Sequence, residues 1–150
     1  EFRRVLFRSL GAPLAGEMSG HMFFGGDYYG FDDALFAAAR LLAFLAGREG
    51  PLSRQFVDVP RTFSTPEIRV ACSEEEKFRI VEDAARAFAA RHDVLTLDGA
   101  RISFANGWGL LRASNTQPVL VLRFEAGSAA DLRAYRDQVE GWLRERGVAV

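Results

Sequence analysis

The sequence predicts an α/β to α+β chain: a mixed α/β unit, then a small α+β domain with an antiparallel sheet and helices on one face. Three observations predict it. Apolar residues recur at helical spacing in three separate stretches. Short β-rich runs between the second and third are punctuated by Asp98-Gly99 and Asn106-Gly107, dipeptides that favour tight hairpins. A connector bearing Pro51 and Pro60 separates the halves and marks a boundary near Arg61.

Taken in order, Glu1–Ser9 (EFRRVLFRS) shows neither the helical nor the strand period. It lacks the apolar core and small-residue cleavage site of a signal peptide. It matches the translation of a common sequencing adapter. The expectation is therefore that residues 1–9 are an adapter-derived artefact, and that native sequence begins at Leu10 and continues upstream.

The loop Gly16-Glu17-Met18-Ser19-Gly20-His21 comes next. Met22-Phe23-Phe24 and Tyr28-Tyr29 flank Gly25-Gly26-Asp27, which predicts a hairpin with a glycine turn. Asp32 is read as the N-cap of a helix over Asp33–Ala46, which carries Leu35, Phe36, Ala39, Leu42 and Leu45 at helical spacing and stops at Gly47. Residues 48–60 form the linker, with a short turn after Pro51.

The unit from 61 to 150 opens with a strand over Glu67–Cys72. Ser73 is read as capping a helix, with Glu76 at the capping-box position and Phe78, Val81, Ala85 and Phe88 on its buried face. Strands are expected at Val94–Leu97, Ala100–Phe104, Trp108–Ala113 and Val119–Phe124, with Asn106-Gly107 as one of the turns. Ser128 caps the last helix, whose stripe is Leu132, Tyr135, Val139, Trp142 and Leu143.

Composition narrows the class. Hydrophobic residues make up 49% and charged residues 26%, enough to bury a core. The formal net charge of −1 argues against non-specific nucleic-acid binding. Apolar runs are too short to span a bilayer, so no membrane partner is expected. Cys72 is the sole cysteine, which rules out a disulfide within the chain or a cysteine zinc site and fits a reducing, cytoplasmic compartment. Eighteen of the 19 basic residues are Arg and only Lys77 is Lys, which reads as coding bias.

Two segments carry chemistry. Arg112-Ala113-Ser114-Asn115-Thr116-Gln117-Pro118 offers a guanidinium, two hydroxyls and an amide at a strand-to-loop junction. Arg can hold a phosphate bidentately, and hydroxyls and loop amides can donate to the remaining oxygens. The same residues also suit a turn in which Ser, Asn and Thr satisfy their own backbone. In Gly16–His21, Glu17 and Ser19 match a pair of sugar hydroxyls, and His21 is an acid, a base or a phosphate partner near neutral pH. A surface loop without ligand is the alternative there. Asp32-Asp33 and Glu74–Glu76 read as helix starts. Trp108 and Trp142 read as packing before sugar stacking. No metal ligand set is expected in this chain.

Together these residues resemble a known family. Gly16–His21, followed by Tyr29-Gly30-Phe31-Asp32-Asp33 and Ala38-Ala39-Arg40-Leu41-Leu42, is similar to the sugar-binding loop and following helix of bacterial phosphomannomutase/phosphoglucomutase, the α-D-phosphohexomutases. Asp98-Gly99, Gly107-Trp108-Gly109-Leu110 and Arg112 through Glu125 resemble its phosphate-binding fourth domain. The resemblance implies that residues 10–47 are the end of the sugar-binding third domain and 61–150 the fourth domain, with the N-terminal domains of the same enzyme missing. It implies an isomerase that interconverts hexose 1-phosphate and 6-phosphate through a hexose 1,6-bisphosphate, with a phosphoserine and Mg²⁺ in the absent domains.

By that likeness Glu17 and Ser19 hold sugar hydroxyls and His21 sits near the reacting end. Arg112, Ser114, Asn115 and Thr116 hold the non-reacting phosphate. Phosphoglucosamine mutases usually carry Gln where this chain has Met18, so the resemblance favours mannose or glucose phosphates. Without the serine and aspartate-rich loops, this chain is expected not to turn over alone. A stand-alone sugar-phosphate binding module is the alternative.

Overall fold

A computed structural model describes residues 11–17 and 20–150. Residues 1–9, read above as artefact, lie outside these, as do Met18 and Ser19. The chain forms two compact units, Glu1–Val59 and Pro60–Val150.

In the first unit, β1 (Leu14–Gly16) pairs antiparallel with β2 (Met22–Phe24), in register Leu14↔Phe24 and Gly16↔Met22. The hairpin therefore closes over Glu17–His21 and not over Gly25-Gly26-Asp27. Gly20 supplies the left-handed residue, at φ 90°. The Glu17 N–H donates to the His21 carbonyl at 2.9 Å. Tyr28 is drawn out of any strand by its packing. Its ring stacks on Phe36 with centroids 3.8 Å apart, and its hydroxyl donates to Asp33 at 2.6 Å. The chain rejoins β2 through the Gly30 N–H, which donates to the Phe24 carbonyl at 3.0 Å, and through the Phe23↔Asp32 bridge.

The helix α1 (Ala34–Ala46) is capped by Asp33, whose carboxylate accepts the Phe36 N–H at 3.0 Å. The cap falls one residue later than expected because Asp32 is committed to β2 and to His21. Gly47 ends the helix, as expected, at φ −88°. No residue of α1 is buried; Leu35 is 85% exposed and Leu42 67%. A 3-10 turn over Leu52–Phe56 follows Pro51.

The second unit is a six-stranded antiparallel sheet with two helices. Its strands are β3 (Phe63–Ser64), β4 (Ile68–Ala71), β5 (Val94–Leu95), β6 (Ala100–Phe104), β7 (Gly107–Ala113) and β8 (Val119–Ala126). The order is β3-β8-β7-β6-β5, with β4 in line with β3 along the same edge of β8. Pro66 interrupts that edge because it has no N–H to donate. Thr65 mends the gap: its N–H donates to the Phe124 carbonyl at 3.0 Å and its hydroxyl accepts the Phe124 N–H at 3.1 Å.

Alternate residues of the sheet face one core. Ile102, Leu111, Leu120, Leu122 and Phe124 are fully buried there. Helix α2 (Lys77–Ala89) adds Ile80, Val81, Ala84 and Phe88, and α3 (Ala129–Arg144) adds Val139 and Leu143. Both helices thus serve one face of the sheet, as expected.

Three local expectations are corrected. Ser73 does not cap α2: residues 73–76 make a preceding turn, and the Ser73 hydroxyl donates to the Glu76 carboxylate at 3.1 Å. Phe78 is half exposed, and Lys77 takes the buried place on the first turn instead. The β6–β7 turn is Ala105-Asn106, since Gly107 already pairs with Phe104. Glycine is needed at 107 for close strand approach, because a Cβ there would lie 2.2 Å from the Glu125 carbonyl. Ser128 does cap α3, accepting the Asp131 N–H at 3.0 Å.

Candidate functional site

The β7–β8 connection holds the first set of predicted residues together. Ser114 is buried at 9% exposure, and its hydroxyl accepts the Thr116 and Gln117 amides at 3.3 and 3.2 Å. Those two amides are therefore turned inward, while the hydroxyl proton stays free to donate. Pro118 restricts Gln117 to extended backbone, and the Ser114 N–H closes the loop on the Val119 carbonyl at 3.0 Å. Asn115 and Thr116 project at the exposed tip between these fixed points.

Arg112 stands two residues earlier, on the sheet face opposite the core, with its side chain 22% exposed. Its Nη1 lies 3.6 Å from the Asp98 carboxylate. That is too long for a good hydrogen bond, so Asp98 orients the guanidinium and leaves donors for an anion. Gly99, at φ 89°, lets the Asp98 turn approach β7; a Cβ there would lie 2.6 Å from the Arg112 Cβ. The loop can thus offer an anion a guanidinium, a hydroxyl and two flexible polar side chains.

The β1–β2 loop belongs to the other unit. Glu17 and His21 face each other across its base through the Glu17 N–H. His21 is half exposed, and its Nδ1 is bonded to the Asp32 carboxylate. That bond, then the Asp32 charge, raises the His21 pKa above its usual value, with Glu17 adding to the rise against desolvation. The rise favours the imidazolium form, which suits a phosphate neighbour. Ser19 lies outside the described residues.

Other groups settle into structural roles. Trp142 packs beside Phe88 and under Arg146, and Trp108 lies under Arg101. Burial, chiefly, pushes the Cys72 thiol up, away from a reactive thiolate. Among the described residues, no three His, Cys, Asp or Glu side chains converge to hold a metal ion. No helix among them is long and apolar enough to cross a membrane.

Sequence reasoning missed the residues that hold the β7–β8 loop. Gln117 accepts an Arg69 Nη1–H on its side chain at 2.8 Å and a Lys77 Nζ–H on its carbonyl at 3.1 Å. Both donors lie more than 35 positions away in sequence, on β4 and α2, beyond the reach of any local pattern. The one available signal was Lys77 itself, the lone lysine among many arginines.

Comparisons with known proteins agree with this architecture. Residues 5–63 match the family model described as phosphoglucomutase/phosphomannomutase, alpha/beta/alpha domain III. Residues 67–141 match the model of its C-terminal domain. A phosphomannomutase/phosphoglucomutase from Pseudomonas putida is 48% identical over 131 residues, 87% of this chain and 28% of that protein. The one from Pseudomonas aeruginosa is 45% identical over 138 residues, 91% of this chain and 30% of its own length. A crystal structure of a phosphoglucomutase/phosphomannomutase family protein from Burkholderia thailandensis superposes with a TM-score of 0.76 at 40% identity, covering 95% of this chain and 30% of that one. The chain thus spans about 30% of the length of these relatives. With two consecutive domain models matched in order and a hairpin and loop placed one in each, this chain belongs to the phosphoglucomutase/phosphomannomutase family.

Proposed function

We propose that this chain is the C-terminal part of a phosphohexomutase, an isomerase that interconverts the 1-phosphate and 6-phosphate of mannose or glucose through a bisphosphate. The β7–β8 loop carries this reading. It presents Arg112, the Ser114 hydroxyl and the exposed tip Asn115-Thr116 on a turn whose Thr116 and Gln117 amides are already bonded to Ser114. Such a loop needs little reordering to accept a phosphate, which keeps the entropic cost of binding low.

In this reading Arg112 and the loop anchor the phosphate that is not reacting. Glu17 and Ser19 read the sugar hydroxyls, and His21, bonded to Asp32, faces the reacting end. Phosphoryl transfer depends mainly on positioning and charge stabilisation, and these residues supply both without bonding covalently to the substrate. The Mg²⁺ of such an enzyme, the group that takes and returns the phosphoryl, and the remaining domains lie outside this chain. No step here is assigned to them. The chain alone is proposed to bind but not to turn over, in the cytoplasm.

Titration of the 150-residue chain with glucose 6-phosphate, followed by amide NMR, tests this. Shifts are expected at Asn115 and Thr116, and Arg112→Ala should weaken binding by roughly 1.5–3 kcal/mol, the scale of a charged hydrogen bond. Equal affinity in that variant, or turnover of mannose 1-phosphate by the isolated chain, would refute the assignment.

A further inference from the structure

Lys77 is fully buried, at 1% exposure, and heads α2. A buried ammonium is costly unless its donors are satisfied. Here Nζ donates to the Gln117 carbonyl at 3.1 Å and meets the Glu74 carboxylate at 2.6 Å, with the Phe78 ring on a further side. The chain uses arginine at every other basic position. A guanidinium is a broad planar fork, whereas this niche takes a compact point charge. The exception therefore has a physical reason that coding bias does not supply.

The carbonyl it holds is the hinge of the β7–β8 loop. Gln117 O also accepts the Val119 N–H at 2.8 Å, and the Gln117 amide is tied to Ser114. Lys77 thus grips the loop from the core side, directly after the two residues that project outward.

We propose that Lys77 is a positioning residue for the phosphate-holding loop, clamping Gln117 so that Asn115 and Thr116 keep a receptive geometry. This rests on the reading of residues 112–117 as the phosphate loop. Lys77 does not touch the ligand; its effect passes through one backbone carbonyl.

The test uses the full chain and glucose 6-phosphate. Lys77→Met keeps the apolar stem and leaves Gln117 O bonded to Val119, so it should fold. Its Kd is expected to rise about tenfold, the lower end for a lost charge-assisted hydrogen bond. Glu74→Gln, which keeps the clamp, should stay within about twofold. Lys77→Met binding like wild type, or Glu74→Gln losing as much, overturns the proposal. Absence of binding in the wild-type chain overturns the loop reading and this proposal together. Binding that Arg112→Ala weakens and Lys77→Met does not would overturn this proposal alone. If Lys77→Met does not fold, the wild-type chain still decides, since its single lysine gives one Nζ resonance. That resonance should shift on ligand addition in step with Asn115 and Thr116. A silent Nζ beside shifting loop amides refutes the clamp.

Discussion

Nδ1 of His21 is hydrogen-bonded to the carboxylate of Asp32, eleven residues further along the chain. The contact ties the base of the β1–β2 loop to the residue just before the cap of α1. It raises the His21 pKa above 6.5, so its stabilisation is complete below pH 6.5 and fades as pH climbs through the raised value. Asp32→Asn should lower the His21 midpoint in an NMR titration of its ring protons. A midpoint that does not move would show that Asp32 leaves the charge state of His21 unaffected.

Two glycines should respond oppositely to alanine. At Gly107 a Cβ would meet the Glu125 carbonyl at 2.2 Å and the Ala126 Cα at 2.8 Å, both backbone atoms of the neighbouring strand. Gly107→Ala should destabilise the second unit by more than about 2 kcal/mol. Gly141 sits inside α3 with nothing within 4 Å of its Cβ position. Gly141→Ala should stabilise by about 0.5–1 kcal/mol, by helix propensity alone. Trp108 and Trp142 both lie in this unit, so urea melts followed by tryptophan fluorescence report it selectively.

The start of α3 should confer acid sensitivity. Ser128 both accepts the Asp131 N–H and donates to its carboxylate at 2.7 Å, and Asn106 Nδ2 donates to the same oxygen at 2.7 Å. Ser128, then Asn106, holds the Asp131 carboxyl below its ordinary value of 3.8. That stabilisation is present above pH 3.8 and lost as pH falls through the lowered value. Ser128→Ala should cost about 1 kcal/mol at neutral pH. Melting temperature against pH should fall less steeply on the acid side in Asp131→Asn than in wild type.

The apolar side of α1 should drive self-association. Leu35 and Leu42 are largely exposed on it, seven residues apart and so two turns along one stripe. Leu35→Glu with Leu42→Lys should lower the apparent mass in light scattering and leave helix content by circular dichroism unchanged. An unaltered mass would clear this face of blame.

How far the sequence could be read depended on range. The α3 cap at Ser128 and the stripe through Val139 and Leu143 follow from local spacing and stand in the structure. Asp33 displaced Asp32 as the cap because Asp32 had a partner in the preceding hairpin, which spacing cannot show. The Gly25–Asp27 turn failed for a similar reason: the stacking of Tyr28 on Phe36 outweighed the turn preference of two glycines. At the candidate site Arg112 and Ser114 through Thr116 were legible as residue types. Their supports, Asp98, Arg69 and Lys77, were not, since each reaches the site across the sheet or from a helix.

The burial of Lys77 has a chemical consequence. It is the only side-chain primary amine in the protein, and folding seals it. Acylating reagents, and any enzyme that conjugates at lysine, can react with it only when the first turn of α2 opens. The acylation rate at this one position therefore reads out the opening equilibrium of that turn.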